Sequence, residues 1–199
     1  MFIQVIEAHA RDPRGLREEW DRWLRELAAG ADGWLGSTAG VATNGSLIAV
    51  VRFESEAAAR RNSSRPEQGR WWADFARHLE GEARFDDYSD TELLGSGGSD
   101  SAGFVQVIRG RAKDVAQLRS LGQAAEGQLR QHRPDVLGGS VAWKTDGDFT
   151  QTVYFTSDAA AREGVRKLSP EMERFMASWQ GLVENVRFFD LREPWLASR

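Results

Sequence analysis

Arg61, Asn62, Trp71, Trp72 and His78 fall in one short stretch of the chain, and their types are those of a ligand site. A tryptophan pair supplies flat apolar walls, an amide and a guanidinium supply hydrogen-bond donors, and an imidazole accepts a proton near neutral pH. Together they can hold a flat apolar molecule away from water, take a proton from it and stabilise the anion left behind. Asn62 and His78 are therefore the candidate catalytic residues, with Arg61, Trp71 and Trp72 as the candidate substrate contacts. Each has a plainer reading beside it. Trp72, Phe75 and Leu79 share helical spacing and read as core. Trp71, one residue off that stripe, reads as a cavity wall or as surface. Asn62 precedes a Ser-Ser-Arg-Pro break, where asparagine ends helices and forms turns. His78, between Arg77 and Glu80, reads as part of a solvated face.

What positions these residues is a unit written twice. Phe2 to Arg60 aligns without a gap onto Phe104 to Arg162 at an offset of 102, and Leu79 to Phe85 aligns onto Leu182 to Phe188 at 103. A constant offset over such a length is the mark of duplicated structure. The second copy has Gly164 in place of Asn62, Arg174 and Phe175 in place of the tryptophans, and no histidine at the position of His78. If the chain has one pocket, it is expected in the N-terminal half, where five of the eight tryptophans also fall.

Each copy begins with a β-branched run, Phe2 to His9 and Phe104 to Arg111, followed by Asp12 or Asp114 as a helix cap. Leu16, Trp20, Trp23, Leu24 and Leu27 then form one apolar stripe, matched by Leu118, Leu121, Ala125 and Leu129. Asn44-Gly45 and Asp146-Gly147, at one aligned position, predict a tight two-residue turn between paired strands. Ser55 and Ser157 cap second helices, which Pro66 and Pro170 interrupt and restart. Closing strands are predicted over Glu82 to Tyr88 and Asn185 to Leu191. The order is β-α-β-β-α-β, a ferredoxin-like α+β unit with a four-stranded antiparallel sheet and both helices on one face. Two tandem units are expected to bring their sheets face to face as an internal dimeric α/β barrel. Residues 1–94 and 103–199 form the two halves, and the Gly/Ser segment 95–102 reads as the linker. Gln4 and Gln106 are expected to serve as a symmetry-related structural hydrogen-bonded element.

With 41% hydrophobic and 28% charged residues, the composition is that of a globular protein. A net charge of −4 and scattered Lys and Arg exclude an electrostatic attraction to nucleic acid. The absence of cysteine removes disulfides, thiol nucleophiles and thiolate metal sites. His9, His78 and His132 show no metal-ligand spacing, so no metal site is expected, and no Gly-rich nucleotide loop follows a strand. No apolar run approaches the roughly 20 residues of a membrane span. Charge appears too early at the N-terminus for a signal-peptide core, and a cytoplasmic location is expected.

The element order, the Phe-Glu-Ser-Glu-Ala-Ala-Ala segment at 53–59 and the Ser-Arg-Pro-Glu-Gln-Gly-Arg-Trp-Trp run at 64–72 resemble the antibiotic-biosynthesis-monooxygenase-like branch of the dimeric α+β barrel superfamily. The chain looks like the tandem-duplicated, actinobacterial-type members of that branch. The resemblance implies the barrel fold and a small apolar or aromatic ligand. It also implies an enzyme that needs no cofactor, a monooxygenase acting on an aromatic or quinol-type molecule. A non-catalytic binding or assembly barrel is the alternative. Haem chemistry is disfavoured, because the first strand carries Gln4, Glu7 and His9 but not the asparagine of that family's haem degraders. The internal pseudo-dimer leaves a further homodimer open, and Trp195 could dock onto its own barrel or a neighbour's.

Overall fold

A computed structural model describes residues 1–199, the side chains of Gln128 and Arg130 excepted. The first β-branched run forms β1 (Phe2–Ala10), and Asp12 then caps α1 (Pro13–Glu26). The Asp12 carboxylate accepts from the Gly15 N–H at 3.1 Å, while Pro13 occupies the first turn, where its missing N–H costs nothing. A 3₁₀ turn at Ala28–Gly30 leads into β2 (Trp34–Val41) and β3 (Ser46–Phe53). Ser55 caps α2 (Glu56–Ser63), Pro66 opens α3 (Pro66–Ala76), and β4 (Leu79–Tyr88) follows. After β5 (Asp90–Gly95) the pattern repeats as β6 (Phe104–Ala112), α4 (Val115–His132), β7 (Val136–Trp143), β8 (Asp148–Phe155), α5 (Asp158–Arg166), α6 (Pro170–Leu182) and β9 (Val183–Leu191). The chain ends in β10 (Trp195–Ser198).

The fold is α+β, with two five-stranded antiparallel sheets, one in each of two compact units. Unit 1 holds Met1–Asp90 and Glu193–Arg199, with strand order β10-β2-β3-β1-β4. Unit 2 holds Thr91–Arg192, with the order β5-β7-β8-β6-β9. The sequence predicts four strands in each sheet, and each has a fifth. Thr-Glu-Leu-Leu and Trp-Leu-Ala-Ser are too short to show a period of two. They become strands because β2 and β7 offer open edges whose N–H and C=O groups need partners. For the same reason the division between units does not fall at the Gly/Ser segment 95–102. It falls at Asp90, where the chain joins the second sheet, and at Arg192, where it returns to the first. Trp195 belongs to unit 1, paired opposite Ala39.

Three local expectations change. The Asn-Gly and Asp-Gly hairpins are not two-residue turns: Gly45 N–H bonds Ala42 O and Gly147 N–H bonds Lys144 O. Only the glycine of each pair has positive φ, +82° and +93°, so each hairpin is a four-residue turn closed by a left-handed glycine. Helix α3 stops at Ala76, which places Leu79 in β4 and not on a helical stripe. Finally, α3 buries Trp71 with Phe75, four residues apart, and leaves Trp72 half-buried. Trp71 is thus core, and the stripe is one residue out of phase with its prediction.

The structural reading of the glutamines holds in both copies. Gln4 Nε2 donates to Asp87 at 2.9 Å, and Gln106 Nε2 donates to Asp190 at 2.8 Å, each pair directly opposed across neighbouring strands. Among the described residues, no helix is long and apolar enough to cross a membrane.

Candidate functional site

Within unit 1 a cavity of about 250 Å³ is lined by residues of α1, α2, α3 and the strands β1, β2, β3 and β4. Its aromatic walls include Trp20, Trp23, Trp71, Trp72 and Phe75, and its polar groups are Gln4, Ser37, Asn62, Ser63 and Gln68. The indoles are fixed. Trp71 Nε1 donates to the Glu19 carbonyl at 2.8 Å, Trp23 Nε1 to Gln68 Oε1 at 2.7 Å, and Trp34 Nε1 to Ser37 Oγ at 2.8 Å. Trp72 stacks on Phe75 at 5.4 Å and meets Phe85 edge-on at 5.1 Å.

These bonds decide what the polar groups have left to offer. Asn62 is only 6% exposed, and its Oδ1 accepts from Arg65 Nη1 at 2.9 Å. A guanidinium has donors alone, so it must face the amide oxygen, which leaves Asn62 with its two N–H donors. Gln68, whose Oε1 is taken by Trp23, likewise keeps its N–H₂ group. Ser37, accepting from Trp34, keeps its O–H. Asn62, Gln68 and Ser37 thus keep donors, whereas Ser63 Oγ already donates to the Ala59 carbonyl and Gln4 Nε2 to Asp87, leaving an acceptor oxygen on each of those two. The Arg65 guanidinium, itself paired with Glu67 at 2.9 Å, holds the Asn62 amide in its orientation.

The sequence-derived candidates separate. Asn62, Trp71 and Trp72 line the cavity, whereas Arg61 is exposed on α2 and His78 is not among the lining residues. His78 Nδ1 sits 2.9 Å from Asp12 Oδ2, and its carbonyl accepts from the Arg11 and Asp12 N–H groups. A Cβ on Gly15 would collide with the imidazole, so the glycine makes room for it against the start of α1. The Asp12 carboxyl lies below its ordinary pKa, chiefly through the Gly15 N–H bond and further through the hydrogen bond and charge of His78. The cause is simple: the helical spacing of Trp72, Phe75 and Leu79 predicts a helix that carries His78, but α3 ends at Ala76 and His78 lies in the turn before β4. No titratable side chain lines the unit 1 cavity among the described residues.

A second and larger cavity, of about 450 Å³, lies in unit 2, so the chain has more than the one pocket for which the N-terminal half is favoured. Gly122, Val136, Trp143, Phe149, Gln151, Phe175 and Trp179 are among its lining residues. At its edge Arg119 Nη1 pairs with Glu92 Oε1 at 2.7 Å, and the guanidinium lies 5.0 Å from the centre of the Trp143 ring. The signal for this cavity was already present in the aligned copies. Trp20, Trp23 and Trp34 correspond to Gly122, Ala125 and Val136, so the second copy lacks the side chains that fill the first. Among the described residues no three His, Cys, Asp or Glu side chains converge on a metal position.

No family model matches the chain, and no curated protein does. Solved structures do match in fold. A candidate monooxygenase from Fusobacterium nucleatum superposes with a TM-score of 0.77 at 7% identity, over 100% of this chain and 94% of the other. An anthrone oxidase-like protein gives 0.64 at 13% identity, over 100% and 94%. A ferredoxin-fold protein from Listeria monocytogenes, related to antibiotic biosynthesis monooxygenases, gives 0.51 at 11% identity, over 96% and 95%. The chain therefore shares the ferredoxin-like fold of these proteins, across both repeats.

Proposed function

We propose that unit 1 is the site of a cofactor-independent monooxygenase, which binds a small flat aromatic molecule as its anion and lets that anion react with dioxygen. The observation that carries this reading is the buried Asn62, whose Oδ1 is held by Arg65 so that its N–H₂ group is left for an oxyanion. Donors fixed before the ligand arrives stabilise developing charge without reorganising. They also lower the ligand's own pKa, so that the proton is lost to water and no side-chain base is required in the cavity. The anion then gives electrons to dioxygen. A ring CH₂ becomes C=O, one oxygen atom enters the product and the other leaves as water. Trp71 and Trp72 form walls that exclude solvent during these steps. His78 and Arg61 take no part in them.

Anthrone tests the reading, since anthrone and O₂ give anthraquinone and water in equal amounts. Oxygen uptake is expected with the wild-type protein. It should fall about 10²–10³-fold in Asn62→Ala, the usual loss for one oxyanion donor, and persist in His78→Ala. Uptake that is unchanged in Asn62→Ala would remove the residue from the site. The lack of a titratable side chain in the lining favours a second reading, a non-catalytic binding site. It predicts saturable binding of anthraquinone with no oxygen uptake in any variant.

A further inference from the structure

We infer that unit 2 carries a ligand site of its own, for an apolar ring molecule bearing an oxygen that accepts a hydrogen bond from the indole N–H of Trp143. Three observations carry the inference, and none depends on the activity proposed for unit 1.

The first is space. Unit 2 has Gly122, Ala125 and Val136 at the positions of Trp20, Trp23 and Trp34. Its cavity of about 450 Å³ falls within the ~300–1,000 Å³ usual for ligand pockets, and Trp143, Phe149, Phe175 and Trp179 give it aromatic walls. The second is the origin of one wall. Trp143 stands on β7 where the first copy has Val41, so the second copy carries an indole beside its cavity that the first lacks.

The third is an unsatisfied donor. Trp143 is 5% exposed, and its Nε1 is buried with no hydrogen-bond acceptor. A buried N–H is costly to leave unmade, and few remain in a fold without a reason. In unit 1 the indoles of Trp23, Trp34 and Trp71 each donate to a protein oxygen. The Trp143 indole differs from them, and it lines a cavity, so the acceptor it needs is one that a ligand brings. Arg119 adds to the same edge. Its Nη1 pairs with Glu92 at 2.7 Å, its guanidinium carbon lies 5.0 Å from the centre of the Trp143 ring, and its Nε, also buried, makes no hydrogen bond. An entering oxygen therefore finds a second donor there. Arg119 is also the side chain that shifts to let the oxygen reach the indole, since it is 27% exposed and rich in rotamers.

The test uses the full chain with 2-methyl-1,4-naphthoquinone as probe and 2-methylnaphthalene, the same ring system without the oxygens, for comparison, both by equilibrium dialysis. Trp143→Phe keeps a ring and removes the N–H. It should weaken quinone binding about tenfold more than 2-methylnaphthalene binding, the cost of one lost buried hydrogen bond. Gly122→Trp, which puts the first copy's residue into the lining at a position where an added Cβ meets nothing within 4 Å, should weaken binding of both probes and so locate them in unit 2. A measurement on the wild-type chain needs neither variant. With the indole nitrogens labelled, the Trp143 N–H resonance, identified through its contacts with the Phe149 ring, should move downfield as the quinone is added and not as 2-methylnaphthalene is added. Equal effects of Trp143→Phe on the two probes, unchanged binding in a folded Gly122→Trp, or a Trp143 N–H signal that stays in place at quinone saturation would each overturn the inference, as would a wild-type chain that binds no quinone.

Discussion

The two units solve one packing problem in opposite ways. In unit 1, Trp23 meets Trp34 at 5.1 Å and Trp71 at 6.3 Å, and Trp20 lies 5.9 Å from Trp195, which arrives on the last strand. Six of the eight tryptophans gather there, and the cavity left is small. In unit 2 the corresponding positions are glycine, alanine and valine, and the cavity is larger. The polar details diverge as well. Gly164 replaces Asn62, and the space beside it is taken by Arg133, whose guanidinium forms a two-point bond with Asp135 at 2.9 and 2.7 Å. In place of the Trp195 indole, unit 2 has Glu92, aligned at the same offset of 103 and paired with Arg119. A duplicated backbone thus tolerates exchange of its largest core residues, provided that each unit refills or uses the space.

That comparison can be broken most forcefully at Trp23. Trp23→Ala gives unit 1 the residue of unit 2 and is expected to cost about 3–5 kcal/mol, the range for truncating a buried tryptophan. Chemical denaturation measures it. A loss under about 1 kcal/mol would mean that the indole cluster is a loose filling, below the usual cost of a core truncation. The reverse exchange, Gly164→Asn, places a Cβ 2.5 Å from Arg133 Nε and forces the guanidinium off Asp135. The expected destabilisation is about 1–3 kcal/mol, as for other overpacked sites, and an unchanged denaturation midpoint would show that Arg133 moves aside freely.

The smallest effect separates the helix starts. Asp12 and Asp114 both cap their helices, but only Asp12 has an imidazole beside it. The Asp12 carboxyl is depressed in the fold, so its contribution is fully present above its unfolded pKa of about 4 and is lost as pH falls through the lower folded value. The stability gap between wild type and Asp12→Asn should therefore be constant from pH 5 to pH 4.5 and close below about pH 4. A gap that does not shrink as the pH falls below 4 would assign the effect to something other than the carboxylate charge.

Much of the frame was readable before any coordinates. The duplication, the caps at Asp12, Ser55 and Ser157, the paired central strands and the element order rest on local chemistry that repeats at a fixed offset. The site was readable in part. Asn62, Trp71 and Trp72 do meet, because they lie on adjoining helical segments that pack on one sheet face. His78 does not join them, since α3 ends at Ala76, three residues before the predicted stripe does, and His78 falls in the turn that follows. The tryptophan asymmetry was visible but pointed to the wrong half for the larger pocket: indoles fill space as readily as they wall it, and composition cannot distinguish the two.

By itself the sequence determined the repeated α+β unit, since hydrophobic period, capping side chains and turn glycines act over a few residues and need no distant partner. Only the tertiary structure decided which sheet each fifth strand joins, which units the chain segments belong to, and where the cavities lie. Strand pairing at an open edge and the volume between packed side chains depend on residues far apart in the chain, and no local pattern encodes them.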